Sequence, residues 1–169
     1  MKTIGMKVIK LTTVLAIGIA MFAGSAFAQS NDPFVGTWTR NIAKSSTTNP
    51  LAPTDRLVSQ TSIWEVVGTG YKSTTVNINE KSKGGNSVTA TPDGKDYPVT
   101  EGNLNGGDVV VMTRVDANTL HRITKKGSAI TSDMYITVSA DGKTRTLIGT
   151  QTNDLLVGYF MNYIVFDKQ

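Results

Sequence analysis

The chain has 169 residues, with 17 basic and 13 acidic side chains, one histidine and no cysteine. Without thiols there is no disulfide framework and no lipobox-type lipid anchor, and a lone imidazole is too little for a zinc site built from protein nitrogen or sulfur. Three of the lysines fall in the first 28 residues, so the remainder sets 14 basic against 13 acidic groups, a balance that is no footprint for nucleic acid.

Residues 1–28 read as a secretory signal peptide. Lys2, Lys7 and Lys10 make its basic start, residues 11–23 its apolar centre, and Ala26-Phe27-Ala28 a small-x-small cleavage site. The apolar run is interrupted by Thr12 and Thr13 and is short for a bilayer span. The expected product begins at Gln29, is exported to a periplasm or the cell exterior, keeps no stable membrane anchor, and forms a single domain over residues 29–169. Such a domain has only its core and its sheet hydrogen bonds to hold it, which favours a closed sheet without unpaired edges.

Residues 34–41, FVGTWTRN, alternate Phe34, Gly36 and Trp38 against Val35, Thr37 and Thr39, the period of a strand. A glycine two residues before a tryptophan lets the backbone pass close to a neighbour while the indole fills the adjoining space. Residues 42–56 are rich in Ser and Thr, and Pro50 and Pro53 bar a regular ladder, so this stretch is expected to be the longest loop. From residue 57 the pattern is strand, turn, strand. Gly68-Thr69-Gly70 turns residues 57–67 into 71–80, KSKGGN and PDGK predict further turns, and residues 101–108 form another connection. Residues 109–115 and 119–125 make the clearest hairpin, and residues 129–139 and 144–151 the next; if Ser139 faces Thr144, Ile136 meets Leu147 and Met134 meets Gly149 on one face. Residues 155–166 are apolar on both parities except Asn162, as in a strand covered on both faces or closing against the first.

About nine or ten strands follow, with no helical period. The expected fold is all-β: an antiparallel up-and-down meander closing into a barrel, with a two-sheet β-sandwich or a half-open barrel as alternatives.

FVGTW resembles the opening Gly-x-Trp strand of lipocalins and intracellular fatty-acid-binding proteins, the calycin superfamily. From Phe34 through DGKDYPVT to the closing VFDKQ, the chain is similar to a family of small exported bacterial proteins loosely called lipocalin-like, which has no established activity. The resemblance implies that the segment after the first strand, residues 42–56, lies across the barrel mouth as a lid. It also implies structural roles for Gly36 and Trp38, with Arg145 on the strand before the last standing in for the arginine that packs on the lipocalin tryptophan. The Arg-x-Tyr by which fatty-acid-binding proteins hold a carboxylate has no counterpart in the closing Tyr163-Ile164-Val165-Phe166.

Catalysis has little to stand on. His121 is mid-strand, no GxSxG elbow is present, and the repeated DGK is what hairpin turns require rather than a calcium loop. No catalytic residue, metal ligand or cofactor is assigned. The expected function is non-covalent binding of a small, largely apolar molecule, with Trp64, Met112, Met134, Ile136 and Leu147 as wall residues and His121 as a polar handle. The face that His121 takes depends on the length of the turn before it: three residues put it with Val109, Val111, Val115 and Ile123, pointing inward, and four put it with Met112 and Arg114. The alternative function is an envelope or surface interaction module with a packed interior and no ligand. Oligomeric state is not encoded in any of these features.

Overall fold

The computed structural model describes residues 32–49, 55–152 and 158–169. The leader, with its export and cleavage, lies outside the described residues. So do residues 50–54 of the expected lid and residues 153–157 before the final strand.

Ten strands are present among the described residues: β1 Gly36–Thr47, β2 Leu57–Val67, β3 Gly70–Asn79, β4 Lys83–Ala90, β5 Asp93–Gly102, β6 Val109–Arg114, β7 Thr119–Lys126, β8 Ala129–Val138, β9 Thr144–Gln151 and β10 Phe160–Lys168. Each pairs antiparallel with the next, and β10 returns to β1, so the sheet is a closed barrel. Closure removes the β-sandwich and the half-open barrel from consideration. The closing pairs run from Trp38 opposite Lys168 to Thr47 opposite Asn162, and Gln169 donates its backbone N–H to Thr37 O at 3.0 Å.

The turns are made by the residues the backbone needs there. Val67 pairs with Gly70 across Gly68-Thr69, and Lys126 with Ala129 across Gly127-Ser128. Gly68 and Gly127 each have φ of +59°, which glycine adopts without steric cost. Between β8 and β9, Asp141 accepts hydrogen bonds from the Lys143 N–H at 3.0 Å and the Ser139 hydroxyl at 2.6 Å, closing the turn locally. The register that follows is Ile136 opposite Leu147, Met134 opposite Gly149 and Thr137 opposite Thr146.

Four stretches expected to be irregular are strand in whole or in part. Residues 93–95 of PDGK and residues 101 and 102 of the expected connection belong to β5. Residues 42–47 belong to β1 and pair with β10 after a bulge between Asn41 and Ser46, so this half of the expected lid is barrel wall. The bulge is held by Ser45, whose hydroxyl donates to Asn41 O at 2.7 Å and accepts from the Val165 N–H at 3.0 Å. The KSKGGN turn is shorter than expected because Lys83, Gly84 and Gly85 already pair with β3. A Cβ on Gly85 would sit 2.2 Å from Thr75 O, so the approach of these two backbones requires glycine. The apolar outer parity of β10 is not covered: Met161 and Tyr163 are exposed.

The interior is divided along the barrel axis. Toward the end that carries the β2–β3, β6–β7 and β8–β9 turns it is packed by Phe34, Trp38, Tyr71, Met112, Leu120, Ile136 and Val138. Trp38 is fully buried, and its indole N–H donates to Phe34 O at 3.0 Å. Gly36, at φ +134°, leaves the room that Lys168 occupies, since a Cβ there would lie 2.8 Å from Lys168 Cε. Asp32, Tyr71 and Arg114 close this end: Tyr71 donates to Asp32, Arg114 bridges to Asp32 at 3.0 Å, and its guanidinium lies over the Phe34 ring at 5.3 Å. Toward the other end the inward residues become polar.

Candidate functional site

Small polar side chains alternate inward on β2, β3 and β4: Gln60 and Ser62, Ser73, Thr75 and Asn77, then Asn86. They are too short to meet across the barrel, and a cavity of about 320 Å³ is left between them. Trp64, Met134, Leu147, Ile164 and Phe166 supply its apolar side, while Asn103, Leu104, Asn105 and Gly106 of the β5–β6 connection lie at its rim. That connection folds back on itself through the paired Leu104 and Gly107, and Asn105 takes φ of +52°, a conformation asparagine tolerates better than most residues. Its side-chain amide donates to Ser132 Oγ on β8 at 3.2 Å, tying the connection across the mouth.

Several lining groups satisfy one another. Trp64 Nε1–H donates to Ser62 Oγ at 3.0 Å, and Gln60 Nε2–H to Asn77 Oδ1 at 2.8 Å. Two arginines do not. Arg122 on β7 and Arg145 on β9 both line the cavity and are 7% and 2% exposed. Arg122 Nε, Arg145 Nε and Arg145 NH1 are buried without a hydrogen-bond partner, as is the amide oxygen of Asn86. Burial lowers the Arg122 pKa to about 10. Burial, and secondarily the charge of Arg122, holds that of Arg145 well below the ordinary guanidinium value. Arg145 has partial compensation from ring faces, lying 4.9 Å from the Trp38 centroid, 5.1 Å from Trp64 and 4.7 Å from Phe166. The stack of Arg145 on Trp38 expected from the sequence is therefore part of a three-ring cage.

Of the expected wall residues, Trp64, Met134 and Leu147 line the cavity. Met112 and Ile136 point inward but belong to the packed end of the barrel, apart from the cavity lining. His121 requires a correction. It shares a face with the valines, as a three-residue turn dictates, but that face is the outside: its neighbours Leu120 and Arg122 are the buried ones. Its Nε2 lies 2.6 Å from Asp133 Oδ1, and its ring stacks on the exposed Tyr135 at 4.6 Å. It is no handle for a guest in the barrel.

Sequence reasoning missed Arg122, Asn86 and the rim connection. The register that put His121 with the valines also put Arg122 on one face with Met112 and Leu120, and with that face inside the arginine points into the barrel. Among the described residues no group of three or more His, Asp or Glu side chains is placed to hold a metal ion.

No family model and no curated protein matches the chain. Among solved structures it is similar to the S-type phycobiliprotein lyase CPES from Guillardia theta, with a TM-score of 0.52 and 12% identity over 81% of this chain and 88% of that one. The fold distantly resembles a calycin-type barrel. At that identity the likeness is one of architecture alone. A closed barrel with a cavity of this kind is compatible with small-molecule binding.

Proposed function

We propose that this calycin-type barrel is an exported, non-enzymatic protein that binds a small molecule non-covalently in its cavity. The observation that carries the reading is the cavity itself: about 320 Å³ inside a closed sheet, lined by Trp64, Met134, Leu147, Ile164 and Phe166 together with neutral polar groups and the guanidinium groups of Arg122 and Arg145. Such a combination of apolar surface with a few convergent polar groups is what a small-molecule site requires. The apolar wall takes the hydrophobic part of the guest, the polar groups orient it, and the connection tied by Asn105 to Ser132 controls entry.

Native mass spectrometry of the protein purified from its own host tests this, together with uptake of environment-sensitive apolar fluorophores. A retained small molecule, or a fluorophore displaced by one, is the expected result. Protein that emerges empty and takes up none of the fluorophores would refute it.

A second reading, a surface interaction module, draws on the outside of the barrel. Tyr135, Ile148 and Tyr163 are exposed and lie directly opposite one another across β8, β9 and β10, making a continuous apolar row. A barrel that stays empty in the first experiment but self-associates, with the association lost in Tyr163→Ser, would favour that reading.

A further inference from the structure

We propose, resting on the cavity-binding reading above, that the guest is a small organic anion whose oxyanion group sits on Arg122, within the positive field of Arg145, and whose apolar body lies on the Trp64, Met134 and Leu147 side.

The charges around the cavity do not balance. Two guanidinium groups line one cavity, and none of the residues lining it is acidic; every other polar lining group is a neutral amide or hydroxyl. Carboxylates placed nearby in the fold are engaged elsewhere, Asp32 with Arg114 and Tyr71, Asp133 with His121, and Asp167 with Asn41. A buried cation ordinarily brings its own counter-charge, and Arg114 shows what that looks like in this same barrel. Arg122 and Arg145 lack it.

The two arginines are not equivalent. Arg145 is held by three ring faces and belongs to the floor. Arg122 has neither ring nor carboxylate among the described residues, and its Nε–H is unused. It is the donor free to turn to a guest, and a planar guanidinium matches the two oxygens of a carboxylate or phosphate. Burial lowers the pKa of both arginines, and for Arg145 the charge of Arg122 adds to it; an anion between them would raise both.

Volume limits the guest. At about 30 Å³ for each water-sized group, the cavity accepts roughly ten non-hydrogen atoms. A medium-chain monocarboxylate is of that size.

Calorimetric titration of the purified protein with octanoate, octyl phosphate, 1-octanol and inorganic phosphate tests the proposal. Expected are binding of octanoate, octyl phosphate or both at least about tenfold tighter than octanol, and loss of that preference in Arg122→Met with partial retention in Arg122→Lys. The stronger of the two alkyl anions identifies the head group. Octanol binding as tightly as both anions would overturn the charge assignment while leaving the cavity reading in place. Inorganic phosphate matching the alkyl anions would overturn the amphipathic guest in favour of a bare ion site. An unchanged anion preference in Arg122→Met would move the anchor away from Arg122, and failure of all four probes, with the fluorophores also excluded, would overturn both readings.

Discussion

Replacing Arg122 with methionine should make the ligand-free protein more stable, although it removes a side chain that is almost completely buried. Burial lowers the Arg122 pKa from the ordinary guanidinium value to about 10, and at about 1.4 kcal/mol per unit the cost of keeping the group charged is on the order of 3 kcal/mol. The sign follows from linkage. The unfolded chain holds the proton more tightly than the folded one, so stability rises as pH climbs from about 10 toward the ordinary guanidinium value, and at neutral pH the folded state bears the full penalty. Methionine keeps most of the stem and drops the charge, as when buried ion groups elsewhere are replaced by apolar residues of similar volume. After allowance for imperfect packing the expected gain is about 1–3 kcal/mol, or about 4–10 °C in melting temperature for a domain of this size. Differential scanning calorimetry in low-salt buffer without phosphate or carboxylate measures it. The same octanoate concentration should then raise the melting temperature of the wild type more than that of the variant. A ligand-free variant that melts several degrees lower would refute the reasoning, because it would mean that the guanidinium holds the barrel together rather than straining it.

Other substitutions separate the packed end from the hollow one. Trp38→Ala removes the fully buried indole and one face of the Arg145 cage and should cost about 3–5 kcal/mol in chemical denaturation; a loss under 1 kcal/mol would show that the plug is dispensable. Gly149→Ala would place a methyl group 2.0 Å from Asp133 O, and should destabilise the β8–β9 pairing by more than about 2 kcal/mol, visible as faster amide exchange in those strands. Asn105→Gly keeps the left-handed backbone and deletes the tie to Ser132, so stopped-flow fluorescence should show faster probe entry and exit with little change in stability. His121→Ala acts on the outer surface; probe affinity should be unchanged and stability altered by less than about 1 kcal/mol, and a tenfold loss of affinity would return the histidine to the site.

The legible part of this chain is the part written in period two. Alternation in β7, β8 and β9, with turn residues of fixed type between them, was enough to obtain cross-strand partners such as Ile136 and Leu147. Proline and serine content misled at residues 42–47, where a bulge stitched by Ser45 carries a polar stretch along the wall. Glycine misled at residues 84 and 85, which read as a turn and serve instead for close backbone approach. The site was harder to read for a different reason. Alternation states which residues share a face, not which face is inside, and the valines around His121 suggested the wrong one. Once Leu120 and Met112 are taken as the core pair, Arg122 must lie among them, and a charged residue on an apolar parity was the available signal. That the cavity occupies only one half could not be read from any strand alone, since it depends on where the short polar side chains of β2, β3 and β4 coincide in height.

The seam between β1 and β10 has a consequence for assembly. Because the first strand, already paired with β2 on one side, finds its second partner only in the last, the wall stays open until Lys168 has been made, and a chain halted before Phe160 would present two raw edges able to recruit neighbours. Such a topology postpones its longest-range pairing to the final step, which slows folding. It also brings the two ends of the sheet side by side, so that joining them and reopening the ring at the exposed Gly127-Ser128 turn should yield a permuted barrel with the same interior.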